Sequence, residues 1–300
     1  MADWGAIIPD MILSSFYILL LILIATAKDA YFKTPFYIFF IATGVYSVMA
    51  IIFYHVAAQF AYSERQWTFL FFKPAYALNA VGAFGATIGK TNIVVHRYFV
   101  MRSSDFAETN WPRKAIARLL LVQLVICVIF TASIWPASYV YANQEAMDRI
   151  IALSNFETMI QMAIAVVTYI MYIICNGIFT ALTSRELIRM RAMIENNAGA
   201  SAKIMAHQRN MIIIVSICSL THLVKMVHQL IIAVTKIFSL QGLHDAIWPM
   251  YPLLNGLAAY AAPICLVAFS QTVRMRIISA CSCRPISDNF VAVFTATRVP

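Results

Sequence analysis

The chain has 300 residues, 62% of them hydrophobic and only 12% charged, with a formal net charge of +9 and a mean hydropathy of +0.77. Soluble globular domains carry roughly 25% charged residues, so the apolar excess must face lipid. That excludes a second large soluble domain and predicts a single all-α membrane domain over residues 1–300.

A bilayer-crossing helix needs about 20 mostly apolar residues. Seven such segments follow one another, at about 6–27, 35–60, 75–96, 115–136, 158–183, 210–236 and 249–271, with a tail at 272–300. The first is preceded by Asp3 and contains Asp10, with no Lys or Arg before it. A cleaved signal peptide starts basic, so an uncleaved helix with an exported amino terminus is expected.

The third span is the least apolar. It holds Asn79, Lys90 and the glycines Gly82, Gly85 and Gly89. Gly89-Lys90-Thr91 invites a phosphate-loop reading, but that motif needs its first glycine at the place of Phe84, after a strand. Gly85 and Gly89 instead form a small-residue pair that lets another backbone approach closely, which predicts a central, tightly packed helix. Lys90 lies two turns before Arg97, and its long side chain is expected to reach the inner headgroups. A polar network at the cytoplasmic end is the alternative.

Basic residues in the connections set the orientation. With the amino terminus outside, the inner segments hold Lys28, Lys33, Arg97, Arg102, Arg113, Lys114, Arg118, Arg185, Arg189, Arg191, Lys203, Arg209, Arg274, Arg276, Arg284 and Arg298. The outer segments hold only Arg65, Lys73 and Arg149. The positive charge is thus a cytoplasmic-face property that suits anionic lipid and acidic partners, not a nucleic-acid signal. Cys127, Cys175, Cys218 and Cys265 fall inside spans as small apolar residues, and no cysteine falls in an outer loop. Residues 272–283 (TVRMRIISACSC) suit a short amphipathic helix along the inner surface. Cys281 and Cys283 within it are either palmitoylation sites or free thiols.

Ionisable groups inside spans are costly and suggest function. The sixth span carries THLVKMVHQL, in which His222, Lys225 and Gln229 share one face and His228 flanks it. No Asp or Glu lies deep in any span. Lys225 is read as a cationic anchor in an outward-facing ligand pocket, or as a lysine bonded to Asn, Tyr or backbone carbonyls. Asn79, Tyr251 and Asn255 stand at similar depth, as do His55, Gln59, Tyr76 and Gln161. The six-residue spacing of His222 and His228 does not suit a metal ion, and no catalytic constellation or cofactor motif is present. An enzyme is not expected.

Seven spans, an outside amino terminus and His96-Arg97-Tyr98 at the inner end of the third span together resemble a G-protein-coupled receptor. His96 replaces the acid of that family's Asp-Arg-Tyr motif, and Ala262-Pro263-Ile264-Cys265-Leu266 stands where many receptors carry Asn-Pro-x-x-Tyr. The second-span sodium-site Asp, the sixth-span Cys-Trp-x-Pro switch and the outer disulfide are absent. GKTNIVVHRYFVMR, Trp111 before a basic fourth-span entry, and PICLVAFSQTVRMRI are similar to the nematode serpentine chemoreceptors of the Srg superfamily, most closely class V (Srv). The resemblance implies a plasma-membrane receptor for a small molecule or short peptide. It also implies a heterotrimeric G protein meeting Arg97, Tyr98, Arg102, Arg113, Lys114 and Arg185. A transporter or channel, which would want inverted repeats and broken helices, and a ligand-free assembly or trafficking protein are the competing readings. With epitope tags at both termini, antibody applied to intact cells should reach the amino-terminal tag alone, and staining of the carboxyl-terminal tag would reverse the topology.

Overall fold

The computed structural model describes residues 4–61, 69–102, 111–135, 139–141, 150–153, 155–195, 201–238 and 240–282. Its helices are α1 (Trp4–Ala25), α2 (Pro35–Ala61), α3 (Phe69–Arg102), α4 (Arg113–Phe130), α5 (Asn155–Glu195), α6 (Ser201–Ile237), α7 (Gln241–Ile247), α8 (Tyr251–Phe269) and α9 (Gln271–Ser282). The seven segments expected to cross the bilayer fall on α1 to α6 and α8, and α7 is a short turn of helix leading into α8. Prolines mark several starts. Pro35 opens α2, where a missing N–H costs nothing, and the Pro112 carbonyl accepts from Ala115 and Ile116 as α4 begins. The connection between α4 and α5 adds two short antiparallel strands, β1 (Tyr139–Tyr141) and β2 (Ile150–Leu153), with Tyr139 opposite Leu153 and a register slip at Val140/Tyr141.

Among the described residues, six stretches are long and apolar enough to cross a membrane. They are Ile7–Ala25, Pro35–Phe60, Arg113–Ile134, Met159–Arg189, Arg209–Thr235 and Gln241–Phe269. α3 is long enough, roughly 50 Å at 1.5 Å per residue, yet too polar to join that set. The reason is its position. It packs along α2 for most of its length and also meets α4 and α5, so protein rather than lipid surrounds it. The other helices show lipid their apolar stripes: Val122, Val125 and Ile129 of α4, Val167, Ile170, Met171 and Ile174 of α5, and Leu220, Val224, Val227 and Leu230 of α6 are all exposed. Such stripes on several helices are far larger than the patches soluble proteins tolerate.

Lipid offers no hydrophobic drive for two apolar helices to meet, so association depends on close packing and interhelical hydrogen bonds. The α2–α3 seam has the first. Gly82, Gly85 and Gly89 face α2. A Cβ at Gly82 would stand 2.5 Å from the Ala50 backbone nitrogen, and those at Gly85 and Gly89 would strike the Tyr46 ring and the Thr43 hydroxyl.

Hydrogen bonds fasten the outer end. Asp10 of α1 accepts from His55 Nε2 of α2 at 2.8 Å. Tyr260 of α8 donates to the Asp10 backbone carbonyl at 2.9 Å, so its oxygen accepts from Ser14 Oγ at 2.7 Å. Gly256 makes room for this carboxylate, since a Cβ there would come 3.0 Å from Asp10 Oδ1.

At the inner end, the Arg274 guanidinium donates to the Val267 carbonyl at 3.2 Å and to that of Ala268. It thereby closes the last turn of α8 and sets α9 as a separate helix.

The glycine seam makes a sharp contrast testable. Gly82→Val forces the backbones of α2 and α3 apart and should lower the thermal unfolding temperature of the purified protein and its surface level. Gly177→Ala, on α5 with nothing within 4 Å of the added methyl, should leave both unchanged.

Candidate functional site

The polar side chains of the bundle interior are arranged along facing turns of α3, α6 and α8. Lys90 of α3 is buried and donates to the Ala258 carbonyl at 2.8 Å and to His222 Nδ1 at 3.0 Å. An ammonium can only donate, so Nδ1 is the acceptor and the imidazole proton sits on Nε2. That N–H faces Thr87 Oγ1 at 3.2 Å, and the Thr87 hydroxyl donates to the Ala83 carbonyl at 2.9 Å. The chain Lys90–His222–Thr87 is therefore satisfied from end to end. Tyr172 closes over the imidazole edge-on, with ring centroids 4.7 Å apart.

One helical turn outward, Lys225 of α6 donates to Asn255 Oδ1 of α8 at 2.5 Å. Residues 222 and 225 step outward along α6 while 258 and 255 step outward along α8, so antiparallel helices give each lysine its own acceptor. A further turn outward, His228 Nε2 donates to the Ile247 carbonyl at 3.0 Å, and the His228 ring stacks on Tyr251. Its buried Nδ1 has no hydrogen-bond partner. Tyr251 also meets the rings of Tyr54 and Trp248, at 5.3 and 5.5 Å, and Gln229 faces the hydroxyls of Tyr169 and Tyr251.

Lys225, His228, Gln229, Tyr251 and Asn255 thus gather at one level between α6 and α8. His222 belongs one level below, with both ring nitrogens committed. Asn79 is half-buried on α3, two turns outward of Thr87, and adds no side-chain hydrogen bond to the cluster among the described residues. Lys90 does not reach the headgroups. α3 continues twelve residues to Arg102, roughly 18 Å along the axis, farther than a lysine side chain extends.

Gln123, which no motif singles out, docks α4. It donates to the Gly85 carbonyl at 2.7 Å and accepts from Asn92 at 3.2 Å. Its only sequence signal is an amide on an otherwise apolar helix.

At the inner end, His96 and Arg97 are buried. His96 packs against Phe39 and Trp111, with centroids at 5.9 and 5.4 Å. The Arg97 guanidinium lies over the Phe36 ring, 4.0 Å from its centroid, and its Nε has no hydrogen-bond partner. Tyr98 is buried against Phe179 and accepts from Arg102 at 2.9 Å. Arg102, Arg113, Lys114 and Arg185 are exposed, as is Cys281. Cys283 lies outside the described residues.

Seven membrane-crossing helices held together by buried polar contacts among the third, sixth and seventh spans are the architecture of a multi-pass seven-transmembrane receptor. The family profile described as serpentine type 7TM GPCR chemoreceptor Srv matches residues 8–283, from α1 to the end of α9, and the chain belongs to that family. No curated protein matches it.

Two substitutions separate the weights of these contacts. Gln123→Leu removes an interhelical hydrogen bond, worth about 0.6–1.7 kcal/mol in membrane proteins. His222→Phe keeps the ring but leaves a buried ammonium short of an acceptor, which costs more. Thermal unfolding in detergent should therefore fall further for His222→Phe than for Gln123→Leu.

Proposed function

We propose that this protein is a chemosensory receptor of the plasma membrane. It binds a small molecule or short peptide among the outer halves of the third, fifth, sixth and seventh spans and signals to a heterotrimeric G protein. The observation that carries this reading is the Lys225–Asn255 pair, a buried ammonium whose side-chain partner is a neutral amide. Beside it stand the unpartnered His228 Nδ1 and the aromatic layer of Tyr54, Tyr251 and Trp248.

A ligand carboxylate or carbonyl accepts from Lys225 there, its apolar body rests on Tyr251, and Gln229, His228 and Asn255 orient it. His222 supports the site from below, and Asn79 stands on the α3 wall. Binding transmits a signal only if it favours one helix arrangement over another. α6 and α8 hold the anchor and its amide on separate helices, so a ligand that draws Lys225 from Asn255 changes how those helices meet.

On the cytoplasmic side, Arg102, Arg113, Lys114 and Arg185 offer an exposed basic rim to a G protein. Arg97 and Tyr98 join that surface when the helices part. Cys281 and Cys283 are the lipidation candidates on the same face. A transporter is less well supported, because the chain has neither paired acids nor an inverted repeat.

In cells expressing the receptor with a promiscuous G protein, a panel of small carboxylates and carbonyl compounds should yield ligand-dependent activation. Lys225→Met should reach the surface at the wild-type level yet lose potency by roughly 10- to 100-fold, the worth of a charge-assisted hydrogen bond. An unchanged dose–response curve for Lys225→Met removes the anchor from the account.

A further inference from the structure

The interior of the bundle carries fixed positive charge with nothing of opposite sign beside it. α2, α3, α4, α6 and α8 contain no Asp or Glu. Within them lie Lys90, Arg97 and Lys225, each buried. The acidic residues of α5, Glu157, Glu186 and Glu195, stand near its two ends, and Asp10 of α1 is paired with His55 at the outer end. A buried cation without a counter-charge is costly in any low-dielectric medium.

Beside Lys90 lies a cavity of about 40 Å³, counted as the space open to the centre of a water-sized sphere and lined by Lys90, Thr43, Tyr172, Cys218, Ser219 and Ala262 among others. One water occupies about 10–15 Å³ on that measure, so the space takes a few waters or one halide ion.

Two donors meet it. An ammonium has three N–H groups, and Lys90 spends one on His222 and one on Ala258. The Thr43 hydroxyl, on a residue only 3% exposed, has no hydrogen-bond partner. Thr43 is held in place by its contact with Gly89, where a side chain would collide with it. Ser219, by contrast, already donates to the Val215 carbonyl at 2.7 Å.

We propose that this cavity is a chloride-binding site, in which a halide accepts from Lys90 Nζ and Thr43 Oγ1. Water satisfies the two donors but does not neutralise the ammonium, whereas a halide does both. The site is independent of the ligand reading of Lys225, which lies outside the cavity lining. It joins α2 and α3 through the ion and, through the partners of Lys90, reaches α6 and α8.

The full-length protein is reconstituted in phosphatidylcholine nanodiscs, and unfolding is followed by tryptophan fluorescence. Sodium chloride or bromide is titrated against sodium gluconate at constant ionic strength. Chloride and bromide should raise the unfolding temperature saturably, and gluconate, too large for the cavity, should not. Thr43→Val keeps the shape and removes one donor, so the half-saturating chloride concentration should rise by about tenfold. Lys90→Met should abolish the halide effect. The ³⁵Cl NMR line should broaden with the wild-type protein, broaden less with Thr43→Val, and stay sharp with Lys90→Met, a readout that does not depend on stability. If Lys90→Met does not fold, Thr43→Val decides the matter alone. A wild-type protein indifferent to halide, or an unchanged half-point in Thr43→Val, overturns the site.

Discussion

The bilayer core supplies no water to a stranded donor, and Lys90 shows what that constraint does to this fold. A lysine near the middle of a helix about 50 Å long must find its acceptors inside the protein. It finds one on α6 and one on α8, so a single ammonium joins three helices. The remaining partners follow in order. His222 must present Nδ1 as an acceptor, which places its proton on Nε2 and calls for Thr87 in turn. Had any member been apolar, the others would be left unsatisfied at a cost the rest of the bundle could not easily absorb.

The same constraint explains why α3 carries both glycines and cations. Small residues let α2 come close enough to pack by dispersion, and polar residues on other faces meet α4, α6 and α8. Gln123 reaches into this helix from α4 and bonds the Gly85 carbonyl, the residue that also admits the Tyr46 ring on its α2 side. α3 is thus the axis around which the apolar helices are arranged. Its low hydropathy measures how completely protein has replaced lipid around it.

Much of this was legible from residue order. Span positions, the glycine face of α3, the amphipathic helix after α8 and the gathering of Lys225, His228, Gln229, Tyr251 and Asn255 all follow from helical periodicity and the cost of polar groups in lipid. Lys90 was not legible in the same way. Seen alone, a lysine two turns from an arginine suggests an escape to the headgroups, and only the continuation of α3 to Arg102 makes that escape too long. His222 is a related case. Its spacing puts it on the face of Lys225, but its partners come from α3, and periodicity within one helix says nothing about a neighbour's register. The hairpin of Tyr139–Tyr141 and Ile150–Leu153 is too short to stand out beside spans of twenty apolar residues.

Arg97 shows how the inner end manages without the acid that His96 replaces. A carboxylate partner would hold the guanidinium by charge. Here the Phe36 ring holds it at 4.0 Å, and such a contact is worth about 0.5–2 kcal/mol. Its Nε is buried without an acceptor, so desolvation works against this arrangement while the ring works for it. His96, wedged between Phe39 and Trp111, fixes the backbone beside Arg97 through packing alone. The two opposing terms are of similar size, which leaves the placement of Arg97 finely balanced. A carbonyl or carboxylate brought to that end of α3 by the proposed G protein therefore needs to supply only modest energy to draw Arg97 off its ring, since it meets a donor that the folded bundle has left unanswered.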